Sequence, residues 1–454
     1  MRKIVVIGGS AAGMMSAVSA ARCDNNAQVS IVTKDGLAYR RPAIPALISG
    51  YIAGPEGASI FSEQTLTKYN VKLICPAEAA YIETDTRTIT VKNNKEQKEL
   101  AFDTAIIATG GLPLIAPIKG AQKKGVCTFT TYEAASQIVQ RAKSDESAVV
   151  IGAGFIALEI AEALMNKGLK VYFNVRSRIL RKLVEPDVSK FLSQHFEKRG
   201  LKMLTGEAIS EIAGDKEVEY VVHKGKKIST KLVIMGTGVK PNVSLAEKSG
   251  VELGESGAIK VDKSMQTSVE GIYAAGDCAE SPDLSTGKFV YLPVGSIGAC
   301  AGNIAGKNAA GAGIETDGFL RAQADEILGM QIFTIGHSTT SAKQVSLEAK
   351  EYDLDAPKGQ EVASTKPFEA GKILTDKKDR IVGAQLVARR HGSQIAYQLY
   401  QAVVEGEKRR DFLNRFKLPR VKFAEAFMQA AKSDIWIKQV GEAKALTLSE
   451  RLSR

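Results

Sequence analysis

The 454-residue sequence is poor in the side chains from which thiol and metal centres are usually built. It has five cysteines, Cys23, Cys75, Cys127, Cys278 and Cys300, an odd and scattered set with no C-x-x-C or C-x-x-x-x-C pair. That spacing argues against a disulfide scaffold or a zinc ribbon and fits a reducing compartment, the cytoplasm. The four histidines, His195, His223, His337 and His391, are equally scattered, so no linear metal-ligand motif is present and no metal is expected. Prolines number 13 against 41 glycines, and aromatic residues make up only 6%. This balance disfavours a disordered or fibrous chain and suits an α/β protein with many tight strand-to-helix turns. No segment beyond residue 21 is free of charge for long enough to span a bilayer. Residues 1–21 have the basic start and apolar run of a secretory signal, but Gly8, Gly9 and Gly13 fall where a phosphate-binding turn needs them, so the segment reads as folded protein.

What is present is the composition of a globular chain, 44% hydrophobic and 24% charged, at a length that holds about three domains. The net charge of +11 is concentrated at Lys119–Lys124, Arg176–Lys182 and Lys408–Lys422. Taken alone, each cluster is solvated surface. Dinucleotide and coenzyme ligands are polyanions that account for a basic balance without nucleic acid, and none is expected as a partner.

Two strand–turn–helix units carry the chemistry. Residues 3–7 (Lys-Ile-Val-Val-Ile) read as a buried parallel strand leading into Gly8-Gly9-Ser10-Ala11-Ala12-Gly13 and a helix to Arg22. This is a G-x-G-x-x-G turn with serine at the middle glycine. Small residues are needed there because pyrophosphate lies against the backbone at a helix N-terminus, where free N–H groups and the helix dipole favour anionic oxygens. The next strand, 28–33, ends near an adenosine ribose, with Lys34 and Asp35 beyond it. The second unit runs from strand 147–151 into Gly152-Ala153-Gly154-Phe155-Ile156-Ala157-Leu158-Glu159 and a helix to about Lys167. After its following strand, 170–175, an NAD site would place a carboxylate for the ribose hydroxyls. Here the chain reads Asn174-Val175-Arg176-Ser177-Arg178, with Arg181 and Lys182 further on. Guanidinium groups at this point pair with a 2′-phosphate, which favours NADPH over NADH; the other reading is a basic helix start unrelated to the cofactor.

The order of motifs over essentially the whole chain resembles the pyridine nucleotide–disulfide oxidoreductase family. Ala108-Thr109-Gly110 resembles the motif closing the first FAD segment, and Gly236-Thr237-Gly238 its counterpart on the return from an inserted NAD(P) domain. Gly271-Ile272-Tyr273-Ala274-Ala275-Gly276-Asp277 is similar to the second FAD motif, in which the resemblance gives Asp277 the ribityl and phosphate region. The helix opening at Leu292–Gly298, with Ser296 in it, resembles one aimed at the flavin pyrimidine edge, where a helix start steadies the charge of a reduced flavin. The resemblance implies an α/β fold of two nested Rossmann-like dinucleotide-binding domains plus a C-terminal α+β dimerisation domain. It divides the chain into an FAD-binding domain (1–112 and 243–324), an NAD(P)-binding domain (113–242) and an interface domain (325–454) that makes a homodimer. Apolar stripes Ile395, Leu399, Val403 and Phe423, Phe427, Ala431 belong to that last part, although a stripe at helical spacing is more often core.

One departure bears on mechanism. The coenzyme A disulfide reductase and NADH oxidase branch carries a single redox cysteine where this chain has Pro42, within Tyr39-Arg40-Arg41-Pro42-Ala43-Ile44-Pro45. Proline has no thiol to attack a disulfide or form a sulfenate. The segment instead resembles the Tyr-x-Arg-Pro stretch of rubredoxin, putidaredoxin and ferredoxin reductases, which pass electrons outward without a cysteine; Arg41 then lies near the isoalloxazine or caps a turn. The five cysteines read as small buried residues. Phe416–Lys422 likewise lacks the His or Tyr acid that thiol-acting relatives bring from the partner's C-terminal segment. The activity implied is FAD-dependent transfer of hydride from NAD(P)H to flavin and of electrons to an external acceptor, a small molecule or a redox protein. Glu159 is then expected to help seat the nicotinamide, or to be a helix-face carboxylate. Two other readings stand beside it. One is a coenzyme A disulfide, persulfide or polysulfide reductase with non-standard thiol use, in which Lys408–Lys422 hold coenzyme A phosphates. The other is a redox-complex subunit with little activity alone.

Overall fold

The computed structural model describes residues 1–34, 43–52, 54, 63–93, 96–142, 146–355 and 368–416. These form two compact units. The first comprises Met1–Pro117, Cys127–Arg141 and Met235–Phe319; the second Ile118–Val126, Ala142–Ile234 and the chain from Leu320 onward. The fold is α/β with Rossmann-like parallel sheets. In this grouping the second nucleotide fold and the C-terminal sheet belong to one unit.

In the first unit, Lys3–Ile7 lies between Thr104–Ile107 and Gln28–Val32, with Ile272–Ala274 and Val71–Ile74 at the outer edges, all pairs parallel. Ile4, Val5, Val6 and Ile7 are buried, as expected of a strand covered on both faces. Helices Ala11–Cys23 and Gly295–Ala309 cross over this sheet at backbone contact. A Cβ at Gly302 would stand 2.3 Å from Ala12 O, and one at Gly306 2.1 Å from Ser16 O. The glycines at positions 298, 302 and 306 recur every fourth residue and so line one helix face, which lets the helices meet without side chains between them.

In the second unit, Ser147–Gly152 pairs in parallel with Lys170–Val175, and that strand with Lys202–Thr205. Helices Phe155–Asn166 and Pro186–Lys198 follow the first two strands. The C-terminal part is an antiparallel sheet in the order Ala322–Ile327, Met330–Gly336, Ile381–Ala388, Ala370–Thr375, Lys350–Asp353. Residues opposite one another on neighbouring strands share a face, and the two faces differ in character. Ile335, Ile373, Ala384 and Leu386 pack against Ile395, Leu399 and Val403 of helix Gly392–Val404. That first apolar stripe is therefore core of its own unit; the second, at Phe423, Phe427 and Ala431, lies outside the described residues. The opposite face carries a transverse polar row, Gln323, Thr334, Gln385, Lys372 and Asp353, each paired with the next in register. Among the described residues no helix is long and apolar enough to cross a membrane.

Candidate functional site

The first candidate cradle forms where strand Lys3–Ile7 turns into its helix. Gly8 has φ +122°, and a Cβ there would lie 2.1 Å from Ala108 O; at Gly13 it would lie 2.0 Å from Gly8 O. Both glycines are demanded by the turn itself. Ser10 is the N-cap with extended backbone, and its side chain makes no cap hydrogen bond to the N–H groups of the first turn, at Ala11, Ala12 and Gly13. Those N–H groups are donors for an anion. Gly276, at φ +86°, brings the chain so near Ala12 that a Cβ would stand 2.7 Å from the alanine methyl, and half-buried Asp277 follows it directly. Helix Gly295–Ala309 starts beside this point: Gly298 packs on Gly276, and Val294, its N-cap, has no side-chain cap. Ser296 sits half-buried in its first turn. Two helix starts and an aspartate thus converge within one unit.

The strand-end motifs close the same unit. The Thr109 hydroxyl donates to Asn242 O at 2.7 Å and Asn242 N donates to Gly110 O at 2.9 Å, while Gly238, at φ +112°, accepts from Leu114 N at 2.9 Å. Thr109, Gly110 and Gly238 therefore clasp the outgoing and returning chains together. Lys34, expected beside the ribose, pairs with Glu78 at 2.7 Å in an exposed ion pair. Arg41 and Pro42 lie outside the described residues.

The second cradle is built differently. Gly152 is the buried end of its strand, and Gly154 caps helix Phe155–Asn166 with φ −94° and no side-chain cap. A Cβ on Gly154 would enter open space. The fold does not require glycine there, whereas a pyrophosphate approaching the backbone does. Phe155 is buried core, Ile156 is exposed and Glu159 is half-buried with its own partners. At the end of the next strand the Asn174 carboxamide is buried and consumed by backbone: Nδ2 donates to Leu204 O and Glu207 O at 3.0 and 2.8 Å, and Oδ1 accepts from Ile209 N.

The basic stretch that follows divides. Arg176, Arg181 and Lys182 are exposed. Arg178 is half-buried, and its guanidinium donates to Val184 O at 2.5 Å, Arg181 O at 2.9 Å and the Thr340 hydroxyl at 3.3 Å. Burial lowers its pKa, and Glu185 opposes that shift. The stretch is not a helix start. Residues 176–184 form turns, and the helix begins at Pro186, with proline in its first turn where the missing N–H costs no hydrogen bond.

Sequence reasoning missed Glu185. Its carboxylate is fully buried and accepts from Thr339 N at 2.8 Å, Thr339 Oγ1 at 2.6 Å and Gln385 Nε2 at 3.2 Å. Its own N–H donates to Gln385 Oε1 at 2.6 Å. An acid just ahead of proline was the available signal, but it reads as an exposed helix start, and its partners are 154 and 200 residues away.

The cysteines also differ from expectation. Cys127 and Cys278 are buried, but Cys23 and Cys300 are exposed and Cys75 is half-buried. Burial raises the thiols of Cys127, Cys278 and Cys300. Among the described residues, no three His, Cys, Asp or Glu side chains are placed to hold a metal ion.

A family model described as pyridine nucleotide-disulphide oxidoreductase matches residues 2–288. The chain is 28% identical over 410 residues to an NADH oxidase of Methanocaldococcus jannaschii, covering 87% of this chain and 89% of the relative. It is 32% identical over 398 residues to a coenzyme A-dependent NAD(P)H sulfur oxidoreductase of Pyrococcus furiosus, covering 85% and 88%. Its fold matches that of an NAD-dependent persulfide reductase from A. fulgidus with TM-score 0.85 at 28% identity, over 95% of this chain and 84% of the other. With two helix-start cradles of the kind dinucleotides require, the chain belongs to the pyridine nucleotide-disulphide oxidoreductase family and is an FAD-dependent NAD(P)H oxidoreductase.

Proposed function

We propose that this enzyme takes reducing equivalents from NADPH and delivers them to an external acceptor without a redox-active cysteine. FAD, when bound, supplies the two-electron centre between donor and acceptor. The protein's part is to hold and orient. The backbone N–H groups at Ser10–Gly13, with Thr109, Gly110, Asp277 and Ser296, hold FAD. Gly152, Gly154 and Ile156 receive the NADPH pyrophosphate, and Glu159 helps seat the nicotinamide. The observation that carries the NADPH preference is the strand end after the second cradle. Asn174 stands where a ribose-binding carboxylate would be, its amide already consumed by backbone, and Arg176, Arg181 and Lys182 are exposed just beyond.

The cysteine-independent route is supported by Pro42 and by the state of the thiols. A thiol must ionise to attack, and burial raises the thiols of Cys127 and Cys278, which disfavours the thiolate at both. Cys23 ends its helix, 13 residues from Ser10 and about 20 Å along the axis. Cys75 follows the edge strand, two strands from the Gly8 turn. The relatives from Pyrococcus and A. fulgidus favour a second reading, in which a coenzyme A persulfide or polysulfide is the acceptor and meets the flavin directly or through a relocated thiol. We further propose the four-segment domain order above, a homodimer, and a cytoplasmic location.

Anaerobic titration with NADPH tests the reading. Bleaching of the flavin with no long-wavelength thiolate band is expected, unchanged in Cys75→Ser and Cys300→Ser. A band that disappears in one of those variants overturns the cysteine-independent route.

A further inference from the structure

The loop between strand Lys170–Val175 and helix Pro186–Lys198 is the part of the NADPH reading that has to be held in place, and the structure shows what holds it. Its backbone is tied at successive points: Leu180 N to Ala153 O, Ile179 O to the Ser189 hydroxyl, Lys182 O to the Ser338 hydroxyl, and Val184 O to Arg178. Ser338 is itself fixed by a reciprocal capping box with Ser341. The loop ends on Glu185, which is wholly buried and bonded to Thr339 and to Gln385 of the transverse polar row. Two residues further on, Asp187 meets Lys372 of the same row at 2.7 Å. The loop therefore stands on the polar face of the C-terminal sheet.

We propose that Glu185 is a positioning residue for nicotinamide-nucleotide recognition, which makes Thr339, Gln385 and the C-terminal sheet part of the apparatus that distinguishes a 2′-phosphate. In this arrangement Arg178 is a strut, and the exposed Arg176, Arg181 and Lys182 are the groups that meet phosphate. A buried charge is costly unless its oxygens find partners, and in the observed loop geometry the Glu185 carboxylate accepts three hydrogen bonds, two from Thr339 and one from Gln385. Arg178 and Glu185 should then behave as one network, with non-additive effects on substitution. The proposal rests on the NADPH reading given above.

The test uses the FAD-loaded enzyme with two fragments, 2′,5′-ADP and 5′-ADP, whose binding is measured by calorimetry, together with KM and kcat for NADPH and NADH. In Glu185→Gln an amide donor faces the donors of Thr339 and Gln385. Binding of 2′,5′-ADP is expected to weaken on the order of tenfold while 5′-ADP changes less than about twofold, and the NADPH KM should rise more than kcat falls. Hydrogen exchange at the Leu180 amide should accelerate. Thr339→Ser keeps both donors and should bind like the wild type; Thr339→Val should weaken 2′,5′-ADP selectively. If Glu185→Gln does not fold, the Thr339 pair decides. Equal weakening of both fragments, or none, overturns the proposal. If the wild type shows no preference for 2′,5′-ADP, or Arg176→Ala with Arg181→Ala does not reduce it, the NADPH reading itself has failed.

Discussion

At Gly154 a Cβ would have no protein atom within 4 Å, so the effect of adding a methyl group separates what the fold needs from what a ligand needs. Gly154→Ala is expected to leave the thermal midpoint nearly unchanged and, if the proposed pyrophosphate site is right, to raise the KM for NADPH on the order of tenfold, because the methyl group would stand in the phosphate's approach path. Steady-state kinetics beside a melting curve check this; a large loss of stability with unaltered KM would contradict it. Residues such as Gly8, Gly13 and Gly154 were legible in the sequence because a strand, a tight turn and a helix in immediate succession leave few alternatives. The internal hydrogen bonds of Arg178 were less legible, because among neighbouring basic residues it looks like another phosphate ligand and one of its partners, Thr340, lies 162 residues away.

Helix Gly295–Ala309 illustrates how an element's role depends on its neighbour. Read alone it is an alanine-rich helix with several glycines, a composition that weakens an isolated helix. Gly302 and Gly306 make sense only against helix Ala11–Cys23, where the backbones touch. Gly302→Ala places a methyl 2.3 Å from a carbonyl oxygen and forces the helices apart, a change expected to cost about 1–3 kcal/mol. Because both helix starts belong to the proposed FAD cradle, the variant should also lose flavin on gel filtration. Retention of full FAD content in a Gly302→Ala protein would argue against this convergence.

On the scale of the whole molecule, the second nucleotide fold and the C-terminal sheet are joined by charge as well as by hydrogen bonds. Lys372 is buried to 9% side-chain exposure and meets Asp187, Glu351 and Asp353, each at 2.7 Å. Burial would lower its pKa, but the three carboxylates raise it well above the ordinary lysine value. For Asp187, burial acts to raise the pKa, and the Lys372 ammonium with the Val188 N–H outweighs it, leaving the carboxyl below its usual 3.8. A depressed carboxyl contributes stability above its unfolded pKa, and that contribution is lost as pH falls through the folded value. Lys372→Met should therefore cost about 1–3 kcal/mol at pH 7, a modest figure because Asp187 and Asp353 are largely in solvent. The difference from wild type should shrink as pH drops below 4. Urea midpoints of both proteins between pH 7 and pH 3 test it, and a gap that widens with acid would reverse the sign. This union of distant segments was not legible from sequence, since an alternating strand shows which residues share a face but not what that face meets. Sedimentation equilibrium should give twice the 48.6 kDa chain mass if the proposed dimer forms. The Ile395–Leu399–Val403 stripe cannot be its seam, being already covered.

The close passage of Gly302 and Gly306 over Ala12 and Ser16 has a consequence for the protein stripped of its flavin. Because that contact is made between the main chains of the two helices, the empty cradle should keep its shape. Removing FAD with chaotropic salt should leave an apoprotein that regains colour on simple mixing, without refolding.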